Sequence, residues 1–190
     1  MRFLLQLTLV SIVLLLTISA QGSVTEYTNK PSWLVAAGPH TTIGFTGFPD
    51  GTEITYQYES QGVTFTNPLT FIQLNASAYP NDGAGLKNNV EIAMKFAQPM
   101  TSLAVDYPGS VQFKLYNQNQ LIYTSTYFGP TGAGNFAGLI STLSFDSAIL
   151  LRPTGEGVFI DDLHFGPPIP APGVVSLLGL AALVRCRRRS

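Results

Sequence analysis

Asn89–Ala97, NVEIAMKFA, is the stretch whose reading decides the fold. Val90, Ile92, Met94 and Phe96 alternate with Glu91 and Lys95, the period of two that sends successive side chains to opposite faces of a β-strand. The four apolar residues are expected inward and the two charged ones outward, so one face is dry and the other wet, as a packed antiparallel sheet requires.

Working outward, the same pattern recurs in short runs. Upstream stand Thr41–Thr46, Gly62–Thr66 (GVTFT) and the apolar run Leu69–Leu74. Downstream come Thr101–Tyr107 and Val111–Tyr116, joined by the turn signal Pro108-Gly109, and then Gln120–Phe128 after the turn Asn117-Gln118-Asn119. A glycine-rich loop, Gly129–Gly138, leads to strands near Phe136–Ser141, Ala148–Arg152 and Gly157–Phe165. About ten short strands, spaced about ten residues apart, predict an all-β protein, an antiparallel β-sandwich with a jelly-roll as the preferred strand order. One segment, Glu26–Ala37 (EYTNKPSWLVAA), reads as a short helix. Pro31 suits a first helical turn, Asn29 or Thr28 can cap it, and Trp33, Leu34 and Ala37 fall on one side. This helix is expected to close one end of the core.

The two ends differ in kind from the middle. MRFLLQLTLVSIVLLLTISAQGS opens with Arg2, continues apolar from Phe3 to about Ile18 and closes on small residues. This is the build of a secretory signal peptide, residues 1–22, with cleavage before Ser23 and cleavage after Ala20 as the close competitor. At the other end, residues 167–190 hold a proline-rich spacer, an apolar run from Val174 to Val184, and Arg185, Arg187, Arg188 and Arg189. The run is about a dozen residues where a stable span needs about 20, and the arginines are expected to stay cytoplasmic. It reads as a removable sorting signal that parks in the membrane, with a plain weak anchor as the alternative. The chain between the ends then lies outside the cytoplasm.

The tail resembles the PEP-CTERM sorting signals of bacterial surface proteins. Pro170-Ala171-Pro172 stands where that family has Pro-Glu-Pro, so the acidic middle residue is absent here. The resemblance implies a bacterial, secreted or envelope-bound protein handled by the Sec translocon, a signal peptidase and an exosortase-type enzyme, with extracellular polysaccharide as a partner. A second resemblance is carried by Gly47–Thr66 (GFPDGTEITYQYESQGVTFT) and Gly157–Gly166 (GVFIDDLHFG). These look like the opening and closing segments of secreted jelly-roll domains similar to galactose-binding-like carbohydrate-binding modules. The middle domain is thus placed at residues 23–166.

Composition narrows the function. The whole chain has a mean hydropathy of +0.22, inflated by the two ends. Five of its ten Lys and Arg residues also lie there, leaving Lys30, Lys87, Lys95, Lys114 and Arg152 against eleven acids, a formal charge of −6 for the middle. Such a domain repels a phosphate backbone, which argues against nucleic acid. The one cysteine, Cys186, is in the tail, so the domain must hold together without a disulfide. No H-E-x-x-H and no G-x-S-x-G occurs, and there are only two histidines, His40 and His164. Glu53, Glu59, Glu91 and Glu156 are available for glycan hydrolysis, but nothing in the sequence pairs them. The expectation is a non-catalytic binding or structural domain of the cell surface or extracellular matrix, with a calcium-stabilised carbohydrate-binding module as the alternative and a secreted glycan hydrolase as the weakest reading.

Asp161-Asp162 is the most suggestive pair. Neighbours in a strand point oppositely, so one carboxylate is expected inward, where it must be compensated. Similarity to carbohydrate-binding modules implies a structural calcium ion joining the first and last strands, held by Asp161 and Asp162 with Asp50 and Thr52 from the opening segment. Solvation of one aspartate and backbone hydrogen bonds to the other are the plainer explanation. Asn81-Asp82-Gly83 is a lesser oxygen-rich candidate, better read as a turn. Tyr56, Tyr58, Tyr79, Tyr107, Tyr116, Tyr123 and Tyr127 are available for stacking on sugar rings, though tyrosine is also an ordinary strand residue. No ligand-binding residue is assigned from sequence, beyond noting Gln73–Asp82 as a loop-end tract.

Overall fold

The alternating stretch lies at the start of a 17-residue strand, Glu91–Tyr107, which pairs along its length with a second 17-residue strand, Asn135–Leu151. A computed structural model describes residues 22–73, 84–129, 135–152 and 157–168. The signal-peptide region, the tract around Tyr79 to Gly83, the centre of the glycine-rich loop, Glu156 and the whole sorting tail from residue 169 lie outside them.

In chain order the elements are β1 (Val24–Tyr27), α1 (Lys30–Ala37), β2 (Thr41–Ile43), β3 (Glu53–Ile54), a 3₁₀ turn (Glu59–Gln61), β4 (Val63–Phe65), β5 (Leu69–Gln73), β6 (Ala84–Asn88), β7 (Glu91–Tyr107), β8 (Gln112–Asn117), β9 (Gln120–Thr124), β10 (Asn135–Leu151), β11 (Val158–Ile160) and β12 (Leu163–Gly166). The larger sheet runs β2-β12-β7-β10-β8-β9, with β1 added on β10 and β4 on β7, and the smaller runs β11-β6-β5-β3. Every pairing is antiparallel. The chain is an all-β antiparallel sandwich, as its alternation predicts.

Several expected strands merge. Thr101–Tyr107 continues the alternating stretch, and Phe136–Ser141 continues into Ala148–Arg152. The break that the sequence shows at Gln98-Pro99 is a register irregularity: Lys95 pairs with Ser147, but the next partners are Met100 and Phe145. Proline has no N–H for the ladder and is tolerated at such a place. On the facing strand Ser141 Oγ donates to Leu143 O at 2.6 Å and accepts from Leu143 N–H at 3.1 Å, supplying what the ladder does not.

The irregularity divides the larger sheet in two. In one half, residues 102–107 of β7 and 135–140 of β10 are flanked by β12 and β1; in the other, residues 91–95 and 147–151 are flanked by β4 and β8. Ile92, Met94, Phe96, Phe113, Leu115 and Leu150 of the second half face a core shared with Ile54, Leu69, Leu86, Val158 and Ile160 of the smaller sheet. Val90 is a correction: it is 71 % exposed, outside the strand. Asn88 Oδ1 accepts from the N–H groups of Val90 and Glu91, so the chain turns there and alternation begins one residue later.

The helix occupies the later part of the expected segment, Glu26 and Tyr27 being in β1, and Asn29 is the cap: its Oδ1 accepts from Ser32 N–H at 2.9 Å. It does not close an end of the core. It lies on the outer face of the first half of the larger sheet, where Trp33 and Ala37 form a separate buried cluster with Ala104 and Phe136. The second half has no such cover among the described residues.

Candidate functional site

Among the described residues, polar side chains gather under α1 and in a cleft on the uncovered face. Under α1, the N–H of Asp161 donates to Asp106 O at 2.8 Å and the N–H of Asp106 to Asp162 O at 3.0 Å, so the bend between β11 and β12 is stitched to β7. Both carboxylates of the pair are buried, Asp161 at 1 % exposure. Asp162 Oδ2 lies 3.6 Å from Lys30 Nζ, and the same ammonium is 2.6 Å from Asp106 Oδ2. His164 is 2 % exposed, with Nε2 3.0 Å from Asp106 Oδ2 and Nδ1 2.8 Å from Thr42 Oγ1. A carboxylate only accepts, so Nε2–H donates to Asp106, while Nδ1 is paired with the Thr42 hydroxyl. Trp33 closes the cluster, its ring 5.8 Å from that of His164.

Asp106 was not singled out by sequence, although it is a lone acid in the apolar run Leu103-Ala104-Val105. Lone acids in dry strands signal a buried partner. One ligand atom each from Asp106, Asp162 and His164 lies within 4.8 Å of the others. Calcium does not fit this group. It takes six to eight oxygen ligands, whereas here one donor is an imidazole and an ammonium already bonds to the carboxylates. Asp50 and Thr52 are not part of it. They belong to an exposed turn in which the N–H and hydroxyl of Thr52 both donate to Pro49 O, at 3.1 and 2.6 Å.

The second feature is a cleft of about 240 Å³ on the uncovered outer face, lined by Thr66, Lys95, Tyr116, Asn119, Ser147 and Ile149, among others. Pairing builds it. Thr64, Lys95, Ser147, Tyr116 and Leu121 form one row across β4, β7, β10, β8 and β9, and Ala93, Ile149, Lys114 and Thr124 form the next. Met94, Ala148 and Leu115, with the opposite parity, are in the core, so both rows face away from it. Asn119 is brought over the edge by the β8–β9 hairpin, whose two central residues have φ of 51° and 65°, the left-handed pair of a type I′ turn. Asp146 fixes this corner: Oδ2 accepts from Gln118 N–H and Oδ1 from the Ser147 hydroxyl, both at 2.8 Å.

Of the other tyrosines, Tyr58 is in the core, stacked edge-on with Phe45 at 5.4 Å, and Tyr107 is buried. Burial, with Tyr127 nearby, pushes the Tyr107 hydroxyl up to about 12. Tyr123 donates to Glu26 Oε1 at 2.8 Å. Tyr56 and Tyr127 are exposed. Tyr116 is the tyrosine in the cleft.

No protein-family model and no curated protein matches the chain. Solved structures with a similar trace include a CBM29-2 mutant complexed with mannohexaose, at 15 % identity over 67 % of this chain and 90 % of that one, TM-score 0.39. A domain from the Ruminococcus flavefaciens cellulosome has 9 % identity over 69 % and 96 %, TM-score 0.39. A Streptococcus pneumoniae fucose binding module has 8 % identity over 55 % and 93 %, TM-score 0.37. At such distances the likeness transfers neither site nor ligand.

Proposed function

We propose that this chain is a non-catalytic glycan-binding β-sandwich, exported by its first 22 residues and sorted to the bacterial cell envelope by a PEP-CTERM-like tail over residues 167–190. Glycan binding rests on one observation: the outer face left bare by α1 carries a cleft in which Tyr116 stands among Lys95, Asn119, Ser147 and Thr66. An aromatic ring beside a few placed polar groups suits a sugar, whose ring has an apolar face and a polar rim. The carboxylate–imidazole group under α1 supports no hydrolytic reading, since its members are buried and bonded to each other and to Lys30. Tyr116→Ala is expected to abolish retention on immobilised polysaccharide without moving the melting temperature. Unchanged retention would remove the cleft from consideration.

Sorting is tested by intact mass of the protein from its native envelope. Loss of residues 1–22 and of about the last two dozen supports processing at both ends, and retention of Val174 to Ser190 means a plain anchor.

Calcium is a second reading, favoured by the burial of Asp161. Of the four residues expected to hold the ion, Asp162 faces Lys30 and Asp50 and Thr52 sit with the exposed 47–52 turn, which leaves Asp161 as the one that supports the reading. Heat on calcium titration and a lower melting temperature after chelation are expected; neither change would end that reading.

A further inference from the structure

We infer that Asp146, which does not itself line the cleft, is the positioning residue that sets what the cleft recognises: it makes Ser147 Oγ an acceptor for a free sugar hydroxyl. This rests on the glycan reading above and deepens it to a rule of ligand chemistry. The two oxygens of the Asp146 carboxylate have separate tasks. Oδ2 accepts from Gln118 N–H and Oδ1 from the Ser147 hydroxyl, each at 2.8 Å. Gln118 and Asn119 are the two left-handed residues of the β8–β9 turn, and Asn119 and Ser147 both line the cleft. One side chain thereby ties the turn that carries Asn119 to the strand that carries Ser147.

The direction of the second bond carries the inference. A carboxylate only accepts, so the one hydrogen of the Ser147 hydroxyl is committed to Asp146, and what Ser147 has left for a ligand is a lone pair. Donation to a charged group also strengthens that oxygen as an acceptor, because bonds in a chain polarise one another. Lys95 is the register partner of Ser147 on β7, and its ammonium has donors only. Directly opposed residues of an antiparallel pair have Cβ atoms about 5 Å apart. A donor and an acceptor at that spacing, beside the Tyr116 ring, match sugar hydroxyls, which both take a hydrogen bond and give one. A methyl ether at the same position still takes a bond but has none to give Ser147. Selection is by hydrogen-bond direction and does not depend on the net charge of the face. Asp146→Asn separates this role from plain structure. Gln118 N–H still needs an acceptor, so the amide oxygen stays with it and the amide NH₂ group turns to Ser147 Oγ. The Ser147 hydrogen is then released, and Ser147 becomes a donor that a methyl ether satisfies.

The test measures binding of the full chain in detergent to a soluble mixed-linkage β-glucan, a galactomannan and a xylan, each in its native form and with its hydroxyls O-methylated. For the polymer that binds best, the wild-type preference for the native form is expected to fall about tenfold in Asp146→Asn, the effect of one hydrogen bond to a polarised group. Ser147→Ala should lose the same part of the preference and bind the native polymer more weakly. Because the readout is a ratio within one variant, any loss of stability cancels. A purely structural Asp146 would weaken native and methylated forms together, and an unchanged ratio in Asp146→Asn overturns the inference. So does a wild-type ratio kept by Ser147→Ala, and so does equal wild-type binding of the two forms. Each of these results leaves glycan binding standing. Failure of the wild-type chain to bind any of the polymers contradicts glycan binding itself, and the inference with it.

Discussion

Lys30 shows how one side chain settles a buried carboxylate cluster. Its ammonium reaches Asp106 and Asp162 while its side chain keeps 30 % exposure, so it escapes part of the desolvation cost that a fully buried cation meets. Lys30→Met is expected to lower stability by about 2 kcal/mol, because Asp106 is left in a dry site with His164 as its main donor. Lys30→Met combined with Asp106→Asn should cost less than the sum of the two, which a denaturant-based double-mutant cycle reads directly. Glu26 gives a second prediction. Partial burial disfavours its charge, but three hydrogen bonds, from the Thr126 hydroxyl, Thr126 N–H and the Tyr123 hydroxyl, hold its carboxyl below the usual range. The unfolded chain therefore binds a proton first as pH falls, so stability present above about pH 4.5 is lost on descending through the lowered value. Tyr123, pushed up to about 12 by burial and by Glu26, works at the other limit: the unfolded chain ionises first above pH 10, and stability falls toward pH 12. Glu26→Gln should flatten both slopes in melting curves taken across pH. In the sequence, Asp161-Asp162 is legible as a pair needing compensation. The compensation of Asp162 is not, since Lys30 stands near the start of the domain and only the fold brings its ammonium to that carboxylate.

At the scale of elements, α1 was readable from local signals, Asn29, Pro31 and the apolar side, but its start was not: the segment reads as helix from Glu26 with Asn29 or Thr28 as cap, whereas Glu26 and Tyr27 belong to β1. That it covers a sheet face instead of closing the core was not, since its seat is made by Ala104 and Phe136, far along the chain. Gly138 provides the other half of that seat: a Cβ there would lie 2.5 Å from Trp33 Cδ1. Gly138→Ala is expected to cost about 1–3 kcal/mol through overpacking. Because Trp33 is the sole tryptophan, the displacement should be visible as a red shift in intrinsic fluorescence. Asn29→Ala should cost about 1 kcal/mol by removing the cap, with a smaller shift of the same signal. The continuity of β7 was hidden by Gln98-Pro99, which reads as a terminator when the partner strand is unknown. Strands β1, β3 and β6 were missed because none shows a long alternation, and β1 forms by pairing with Ser141 to Gly138.

For the whole molecule, alternation was enough to give an all-β sandwich, since each run independently demands one dry face. The cleft was invisible at that level. Lys95, Ser147 and Tyr116 come from three strands, and their common row exists only once the register is set. The division of the larger sheet is why the proposed binding is assigned to one half: α1 occupies the first outer face, and the second has no such cover among the described residues. The most direct test of this account is to follow backbone amide signals of the isotope-labelled full chain in detergent while titrating soluble oligosaccharides of the polysaccharide that retains it. Shifts concentrated at Thr66, Lys95, Tyr116, Asn119 and Ser147 are the predicted result. Shifts confined to the 47–52 turn or to α1, with those five residues unmoved, would contradict it.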